Sequence, residues 1–480
     1  MAAGSVFLVG AGPGDEGLIT VKGLSLIKKA DVILYDRLVN PLLLEYARED
    51  AERIYCGKLP DRHHLRQDAI QQIMVDKAKQ GCSVVRLKGG DPGMFGRVGE
   101  EAAALKEHGI FYEIVPGITA GMAAPLYAGV PITHRDYSGS FAAVTGHRKT
   151  EEGQPSPDWK SLAKGVDTIA FYMGVKNLPL IAENLLKHGK AAETPVIIIE
   201  WATTGRQRTV KGTLAAINHE AQKEKVQNPA ITLVGDVAGL NSQLAWFESR
   251  PLHGKYVWLV KTASSRSTIA EKLKIDGAEV IEAPRFEVIS SEHPLPANLS
   301  SFNKIIFTSP ESVDFFFEAL KKKRIDIRSI TADFVGKTKR VQTQLESLGI
   351  FSNKEMSGEK VLEVGEEDSL TKKNTSYNFW ISHEVKKRKL TENTLGRLIT
   401  DNVINTVVFP CAKAVKNAEI ELKQHNIEPV EWFRSKSVIC YGTKSRKAAQ
   451  AAGISVNAVL AEPNAEKLLQ YLYQTPEMVL

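Results

Sequence analysis

Two glycine-rich turns are the parts of this sequence whose residue types and spacing could do chemistry. The first is Val9-Gly-Ala-Gly-Pro-Gly-Asp15, and the second is Val85-Arg-Leu-Lys-Gly-Gly-Asp-Pro-Gly-Met-Phe-Gly-Arg97. Because glycine has no Cβ atom, such turns let a ligand approach the backbone closely. Two of them at strand ends in one lobe predict backbone amides and carbonyls arranged around a nucleoside-like ligand. The alternative is that both are tight turns without a ligand.

The first turn also resembles part of a dinucleotide-binding fingerprint. Pro13, however, stands where that fingerprint would have to enter a helix directly, so we do not expect an NAD site. Two titratable residues follow strand patterns nearby: Asp36 after Val32–Tyr35, and Lys58 after Cys-Gly. Taken alone, Asp36 fits a helix cap and Lys58 fits a surface cation.

The elements that must position these residues alternate between strand and helix patterns. Strand-like segments at 6–9, 32–35, 84–87 and 168–172 are separated by helical stretches such as 65–80 and 100–108. This alternation predicts α/β layers. Further strands near 195–200 and 230–234 predict a second lobe, so that residues 1–247 form two lobes, about 1–135 and 136–247.

The second half begins after a polar segment, residues 248–255, that contains proline and glycine. Beyond it, residues 305–313 are partly repeated at 406–415, and residues 335–350 at 441–454. This duplication predicts two similar α/β subdomains within residues 255–480. The stretch from Asn353 to Asn378 is polar and charged, which predicts a loop or a loosely ordered connection.

Composition limits the class of protein. With 480 residues, 43% hydrophobic and 25% charged, two or three domains of a globular protein are expected, and no apolar run is long enough to span a bilayer. No secretion signal precedes the first strand pattern, so we expect a cytoplasmic protein. The four cysteines are too far apart in sequence for a metal knuckle or a redox pair, and no metal set emerges.

The net charge of +6 is lower than that of a typical nucleic-acid-binding protein, and it also suits a polyanionic small molecule. Two basic runs, Lys321–Arg324 and Lys386–Lys389, are similar to nucleic-acid-binding patches. Solvated helix ends or loops are the alternative. An RNA-associated protein therefore remains a competing interpretation.

The first half resembles the uroporphyrinogen-III C-methyltransferases, a subgroup of the tetrapyrrole methylase family. Eight motifs carry the resemblance in order: Gly10-Ala-Gly-Pro-Gly-Asp15, Tyr35-Asp-Arg-Leu-Val39, Arg86-Leu-Lys-Gly-Gly-Asp-Pro92, Val115-Pro-Gly-Ile-Thr-Ala120, Ala128-Gly-Val-Pro-Ile-Thr-His-Arg-Asp136, Thr145-Gly-His147, Tyr172-Met-Gly174 and Asn228-Pro-Ala230. The resemblance implies a two-lobed tetrapyrrole methylase fold with folded S-adenosylmethionine in the cleft between the lobes.

Matched motif by motif, the resemblance places eleven residues at the cofactor. They are Pro13, Gly89, Gly90, Asp91, Met94, Thr119, Ala120, Met173, Ala202, Pro229 and Ala230, with Pro229 and Ala230 near the adenine. Two positions depart from the family pattern. Ala202 replaces a usual glycine and could crowd the cofactor, and Gly93 replaces a usual aromatic residue, whose loss could loosen the cleft.

The resemblance also implies the chemistry. Carbon methylation needs an electron-rich pyrrole carbon, and a base that accepts a pyrrole proton increases that electron density. Asp36 matches the family's proposed proton acceptor and Lys58 its proposed proton donor. The implied substrate is uroporphyrinogen III, whose carboxylate arms need cationic partners. The candidates are Arg37, Arg97, His63, His64 and Arg135, although each arginine could instead form a structural salt bridge.

Residues 255–480 resemble uroporphyrinogen-III synthase, which cyclises hydroxymethylbilane and folds as two α/β subdomains. The match rests on 254–260, 277–284, Phe307-Thr-Ser-Pro310 and glycine turns at Gly336 and Gly442. The second copy reads Phe-Pro-Cys-Ala where the family has Thr-Ser-Pro, and the family's substrate-facing tyrosine has no clear match. Thr308, Ser309 and Thr338 are the polar groups that could hold substrate carboxylates, with turn and cap roles as the alternative.

The sequence therefore predicts a bifunctional enzyme. Its first half would methylate uroporphyrinogen III twice with S-adenosylmethionine, at C2 and C7, to give precorrin-2, and its second half would make that substrate from hydroxymethylbilane. A synthase-like domain kept only for binding or as a scaffold is the alternative. The family pattern further implies a homodimer formed through the methyltransferase half.

Overall fold

The computed structural model describes residues 4–57, 67–146, 157–262, 267–351, 360–370, 377–388, 394–461 and 464–475. The chain divides into two compact units. Unit 1 comprises Met1–Val260, Ser267–Ala283 and Leu390–Leu480, and unit 2 comprises Lys261–Arg266 and Pro284–Lys389. The domain boundary between residues 247 and 255 stays a prediction.

The first lobe of unit 1 is built on a fully parallel sheet with the strand order β3-β2-β4-β1-β5. Its strands are β1 (Ser5–Gly10), β2 (Val32–Tyr35), β3 (Glu52–Tyr55), β4 (Val84–Lys88) and β5 (Phe111–Val115), and its helices are α1 (Val21–Ile27), α2 (Gln67–Lys79), α3 (Val98–Glu107) and α4 (Ala120–Tyr127). Val9 and Val85 point into one buried cluster, and Leu8 and Val84 into another. Both faces of this sheet are therefore covered, which explains why its strands read as near-continuous apolar runs.

The second lobe has a mixed sheet with the order β6-β7-β10-β8-β9. Its strands are β6 (Phe141–Thr145), β7 (Thr168–Tyr172), β8 (Pro195–Glu200), β9 (Arg208–Thr213) and β10 (Ala230–Val234), and its helices are α5 (Trp159–Gly165), α6 (Leu178–Lys187), α7 (Ile217–Lys223) and α8 (Asn241–Leu244). β10 runs antiparallel to both β7 and β8, so the ends of those two strands meet the start of β10 at one edge of the sheet.

The rest of the chain contains eleven further strands among the described residues. They are β11 (Tyr256–Val260), β12 (Glu279–Ala283), β13 (Phe286–Ser290), β14 (Lys304–Phe307), β15 (Asp333–Gly336), β16 (Val361–Gly365), β17 (Tyr377–Ile381), β18 (His383–Lys387), β19 (Thr406–Phe409), β20 (Ser437–Tyr441) and β21 (Ala458–Leu460). The helices are α9 (Thr268–Ile275), α10 (Pro310–Lys323), α11 (Lys339–Ser347), α12 (Thr394–Thr400), α13 (Ala412–Gln424), α14 (Pro429–Phe433), α15 (Gly442–Ala451) and α16 (Ala465–Gln474).

These strands form one parallel sheet in each unit. The third sheet of unit 1 has the order β12-β11-β19-β20-β21. The parallel sheet of unit 2 has the order β15-β14-β16-β17, beside a two-stranded antiparallel pair of β13 and β18. The repeated sequences fold alike: β14 with α10 corresponds to β19 with α13, and β15 with α11 corresponds to β20 with α15. In both sheets the two repeated strands are neighbours. The predicted α/β fold class is confirmed.

Two local predictions were wrong. The segment from Asn353 to Asn378 is not only a connection, because Val361–Gly365 forms β16, a fully buried strand that pairs with β14 and β17. This short apolar run lies among charged residues, so average composition hides it. The basic run at Lys386 and Lys387 lies in β18 rather than in a helix end or a loop.

The run at Lys321–Lys323 does lie at the C-terminal turn of α10, as expected. There the cations face the negative end of the helix dipole. None of the four cysteines, all of which lie among the described residues, forms a disulfide bond. Among the described residues, no helix has both the length and the apolar character needed to cross a membrane.

Candidate active site

The carboxyl ends of the parallel strands in the first lobe bring the glycine-rich turns together. Gly12 and Gly90 exchange backbone hydrogen bonds of 3.1 and 2.7 Å, so the turns after β1 and β4 are paired. Gly117, after β5, lies against the same point: a Cβ atom on Gly10 would stand 2.6 Å from the Cα of Gly117. Ligands of open α/β sheets bind at this edge.

The second lobe contributes the opposite side through backbone in the left-handed region. Met173 follows β7 with φ 55°, and Trp201 and Thr203 follow β8 with φ 45° and 66°. The register pairs Ala230 with Glu200, which places the start of β10 beside the end of β8. Such conformations are costly for residues other than glycine and concentrate at functional sites.

The two lobes meet through the first glycine turn. The backbone N–H of Asp15 donates to Thr203 Oγ1 at 2.9 Å. A Cβ atom on Gly14 would lie 2.8 Å from the same Oγ1. Asn40 Nδ2 also donates to the carbonyl of Gly14 at 2.7 Å. The turn is thus held from both sides, and at Gly14 it leaves no room for a side chain.

A cleft of about 810 Å³ lies along this junction, entirely within unit 1. Its volume falls in the range of small-molecule sites. All eleven residues predicted to contact the cofactor line it: Pro13, Gly89, Gly90, Asp91, Met94, Thr119, Ala120, Met173, Ala202, Pro229 and Ala230. Asp36, Arg37 and Arg97 line it as well. The contacts of these residues with a cofactor or a substrate stay predictions.

Several of these residues also hold the walls of the cleft. The carboxylate of Asp91 accepts hydrogen bonds from the backbone N–H groups of Gly93 and Gly117, at 2.7 and 2.8 Å. The hydroxyl of Thr119 lies 2.7 Å from that of Tyr172, to which Gly121 N–H also donates. Asp91 and Thr119 therefore rigidify the turns as well as bordering the cleft.

Both positions that depart from the family pattern can be located in the structure. Gly93 lacks a ring, but Phe95, two residues further on, lines the cleft with its ring centroid 5.0 Å from that of Tyr172. Phe95 reaches this place with φ 56°. An aromatic surface is thus present in the cleft although the expected position lacks one. The methyl group of Ala202 lies in the cleft wall, where its effect on a cofactor stays a prediction.

A charged network supports Asp36 from below. Arg86 Nη2 donates to Asp36 Oδ1 at 2.6 Å, and Arg86 Nε lies 3.3 Å from Glu101 Oε1. Lys88 Nζ lies 2.8 Å from the same oxygen, and Gln67 Nε2 donates to it at 3.0 Å. Asp36 is not a helix cap, because the next helical turn, Pro41–Tyr46, is capped by Asn40. The carboxylate of Asp36 is held by a buried guanidinium at the floor of the cleft.

The network is almost fully buried except at Asp36. The side chains of Arg86, Lys88 and Glu101 are 3%, 6% and 0% exposed, whereas that of Asp36 is 33% exposed. Burial, followed by the neighbouring Arg86 charge, lowers the pKa of Lys88. These three residues were not identified from the sequence. The sequence nevertheless contained an indication of this network. Arg86 and Lys88 stand at alternate positions of the apolar strand β4, and buried cations require anions beside them.

The predicted cationic partners of the substrate differ in their surroundings. Arg97 lines the rim of the cleft and pairs with Glu100 on α3. Arg37 lines the cleft beside Asp36. Arg135 is exposed and is not among the cleft-lining residues. Lys58, His63 and His64 lie outside the described residues, so their roles stay predictions.

The candidate residues in unit 2 take part in local structure. Ser309 caps α10, with its Oγ accepting from Ser312 N–H at 3.1 Å, and Thr338 caps α11. The hydroxyl of Thr308 lies 2.9 Å from that of Ser369. The cap role considered as an alternative is thus present for two of them. Their binding of substrate carboxylates stays a prediction.

The far wall of the cleft comes from residues that the sequence did not connect with this site. Tyr256 and Glu279 line it from β11 and β12, next to Arg206, whose guanidinium lies 3.4 Å from the centre of the Trp201 ring. Gly205 N–H donates to Glu279 Oε1 at 3.0 Å. These residues lie far in sequence from the glycine turns, so only the fold brings them together.

Glu279 provides a pH-dependent prediction. Burial, with smaller contributions from the charges of Asp15 and Glu16, raises its pKa from 4.5 to about 7, while Gly205 N–H and Lys274 oppose this. Between these two values the folded protein binds more protons than the unfolded chain. The contribution of Glu279 to stability is therefore greatest below pH 4.5 and is lost as the pH rises through 7. Glu279→Gln removes this loss.

We expect Glu279→Gln to exceed the wild type in free energy of unfolding by on the order of 2 kcal/mol at pH 8, and the difference to shrink towards pH 5. Urea unfolding at several pH values measures it. Glu183→Gln, at an exposed position on α6, is the control and should show no such trend. A Glu279→Gln variant that is less stable than the wild type at pH 8 would contradict the assignment.

The packed glycines provide a second prediction. A methyl group on Gly117 would stand 2.8 Å from the Cα of Gly10 and even closer to the carbonyl oxygen of Gly90. The turns would have to separate, so Gly117→Ala should weaken binding of S-adenosylhomocysteine about tenfold or more in calorimetry. Gly99→Ala on α3, where a Cβ atom meets nothing within 4 Å, should bind normally. Equal affinities of the two variants would refute the role of these turns.

Two family models match parts of this chain. The family model of the Tetrapyrrole (Corrin/Porphyrin) Methylases matches residues 5–218, and that of Uroporphyrinogen-III synthase HemD matches residues 267–364. The uroporphyrinogen-III C-methyltransferase of Bacillus subtilis is 44% identical over 459 residues, which cover 95% of this chain and 94% of that protein. The enzyme of the same name from Priestia megaterium is 58% identical over 238 residues, 50% of this chain and 100% of that protein.

Among solved structures, a uroporphyrin-III C-methyltransferase from Thermus thermophilus complexed with S-adenosylhomocysteine is 40% identical. The match covers 49% of this chain and 100% of that chain, with a TM-score of 0.43. The predicted family is confirmed by the relative that matches nearly the whole length. The chain belongs to the uroporphyrinogen-III C-methyltransferases of the tetrapyrrole methylase family, and it carries in addition a segment that matches uroporphyrinogen-III synthase.

Proposed function

We propose that this protein transfers methyl groups from S-adenosylmethionine to C2 and C7 of uroporphyrinogen III, giving precorrin-2. The observation that carries the proposal is that all eleven expected cofactor positions and Asp36 line a single cleft. The family membership supports methylation in tetrapyrrole biosynthesis. The cytoplasmic location and the homodimer stay predictions.

The cleft fits a nucleoside-containing cofactor. At Gly10, Gly14 and Gly117 an added Cβ atom would collide with neighbouring atoms, so the turns are packed as closely as glycine allows. Gly14, Gly89 and Gly90 of these turns line the cleft. Pro229 and Ala230 provide an apolar surface at the start of β10, which suits the adenine. S-Adenosylmethionine, when bound, supplies an electrophilic methyl group. No described cluster of histidine, cysteine or acidic residues suggests a metal site.

Asp36 is the proposed proton acceptor. Arg86 holds one carboxylate oxygen, and the partly exposed side chain borders the cleft. A carboxylate fixed in this way can accept the pyrrole proton without reorienting, which raises the electron density of the carbon to be methylated. Lys58, proposed as the proton donor, lies outside the described residues.

The substrate carboxylates need cations at the rim. Arg37 and Arg97 are the proposed partners, because both line the cleft and guanidinium groups bind carboxylates bidentately. Arg97 would have to exchange its exposed partner Glu100 for the substrate. Exposed ion pairs of this kind contribute little, so the exchange costs little free energy.

The direct test uses the full-length protein with methyl-labelled S-adenosylmethionine and uroporphyrinogen III. Mass spectrometry should show a product with two added methyl groups, formed through a singly methylated species. Nuclear magnetic resonance of the product then locates the methyl carbons at C2 and C7. Absence of labelled tetrapyrrole would overturn the proposal, and methylation at other carbons would overturn the stated positions.

We further propose that the C-terminal half cyclises hydroxymethylbilane to uroporphyrinogen III. The match to uroporphyrinogen-III synthase over residues 267–364 and the duplicated strand–helix units support this activity. The alternative is a synthase-like domain retained for binding or as a scaffold. Incubation of full-length Asp36→Asn protein with hydroxymethylbilane separates the two, because methylation then does not consume the product. Isomer III supports the synthase, whereas spontaneous isomer I alone supports the alternative.

A further inference from the structure

Helix α12 lies against the turn that carries the proposed proton acceptor. Arg397 Nη1 donates to the carbonyl oxygen of Val39 at 3.3 Å, and Nη2 donates to that of Arg37. Thr394 Oγ1 donates to the carbonyl oxygen of Pro41 at 3.3 Å. The segment that directly follows Asp36 therefore has three of its carbonyl groups bound by one helix from the C-terminal part of unit 1.

Apolar packing fixes the end of the same segment. Leu42 is 8% exposed and belongs to a buried cluster with Leu395 and Ile399 of α12, together with Trp258 and Ile404. Removal of this leucine side chain from water stabilises the position of the segment. The segment 37–42, which we call the Asp36 turn, is thus anchored by hydrogen bonds along its length and by a buried side chain at its end.

The guanidinium of Arg397 makes several contacts within the protein. Besides the two carbonyl groups, it lies 5.6 Å from the centre of the Tyr55 ring, and its Nε lies 3.8 Å from the carboxylate of Asp401. Its side chain is 21% exposed at the cleft. With its donors directed at the backbone and an acidic neighbour, Arg397 is better suited to hold the turn than to bind a substrate carboxylate.

We infer that Arg397 is a positioning residue for methylation, which makes α12 part of the methyltransferase site. Arg86 fixes the carboxylate of Asp36 from the first lobe, and Arg397 fixes the backbone that follows it. This inference rests on the proposed function. The match to the Priestia relative covers the whole of that protein but only 50% of this chain.

The expected result follows from where the contacts fall. Arg397→Ala frees the Asp36 turn and should lower kcat for methylation on the order of tenfold, because small displacements of a catalytic group are costly. The cofactor turns keep their own contacts with Thr203 and Gly90. One hydrogen bond, from Asn40 to the carbonyl group of Gly14, links the Asp36 turn to the cofactor turns. Because the other contacts of the cofactor turns are retained, the affinity for S-adenosylhomocysteine should change by no more than about twofold.

Three variants of the full-length protein test the inference. Arg397→Lys keeps a donor that reaches one carbonyl group but lacks the planar fork, so it should recover part of the kcat that Arg397→Ala loses. Arg434→Ala, at an exposed position in the same part of the chain, should match the wild type. Thermal unfolding of each variant separates a loss of fold from a loss of positioning.

Two outcomes would overturn the inference. Wild-type kcat in Arg397→Ala would show that the turn needs no support from α12. A raised KM for uroporphyrinogen III with unchanged kcat would show that Arg397 binds substrate instead of positioning the turn. Both outcomes leave the proposed methylation intact, whereas a wild-type protein that does not methylate uroporphyrinogen III would refute the proposed function itself.

Discussion

Asp36→Asn should lower kcat for methylation by about 10²- to 10⁴-fold, the range typical for loss of a positioned base. The asparagine keeps the size of the side chain, and its oxygen can still accept the hydrogen bond that Arg86 Nη2 donates to Asp36. The turn should therefore stay in place while the group can no longer take up a proton. Initial rates with saturating S-adenosylmethionine and uroporphyrinogen III measure the effect.

Calorimetry with S-adenosylhomocysteine provides the companion measurement. The affinity of Asp36→Asn should equal that of the wild type, since the expected cofactor contacts lie on other turns of the cleft. Asp68→Asn, at an exposed position at the start of α2, should retain full activity. An Asp36→Asn protein with a rate within about threefold of the wild type would exclude Asp36 as the proton acceptor.

Glu101→Gln should destabilise the protein by about 3–5 kcal/mol, the cost of removing one partner from a buried charge pair. Glu101 is the carboxylate shared by Arg86 and Lys88, and both cations have nearly inaccessible side chains. Without it, two buried positive charges would have only Asp36 to balance them. The pKa of Lys88 is already lowered by burial, so loss of this partner would disfavour its charged form further.

Glu100→Gln is the matched control for this prediction. Glu100 is the preceding residue on α3, and it pairs with Arg97 at the exposed rim. Its replacement should leave the urea midpoint almost unchanged. If Glu101→Gln and Glu100→Gln had equal midpoints, the network would not support the floor of the cleft.

The family resemblance, rather than glycine spacing alone, gave the expected cofactor positions, and most of them lie in motifs at strand ends. The spacing of glycine and proline predicts the turns after β1 and β4. The carboxyl ends of the strands of a parallel sheet lie at one edge, so the two turns are expected to be neighbours. The α/β class followed in the same way from alternating apolar patterns. Asp36 was singled out by its motif, but the cap role that remained possible from sequence was excluded only in the structure, where Asn40 caps the next helical turn.

What the sequence could not show depends on contacts between distant residues. Glu101 lies on a helix with an ordinary surface-like composition, and only its packing under β4 makes it the partner of two cations. Arg397 is more than 350 residues from the Val39 carbonyl group that it binds. β16 was missed for a related reason, because its apolar residues are stabilised by strands on either side rather than by their own pattern.

The most direct test of the proposed cofactor cleft is a calorimetric titration of the intact protein with S-adenosylhomocysteine. We predict one saturable site per chain. Its affinity should be weakened by Gly117→Ala, because the glycine turns border the cofactor cleft, and unchanged by Asp36→Asn, because Asp36 is the proposed acceptor of the substrate proton. A titration that shows no binding to the intact wild-type protein would contradict this prediction.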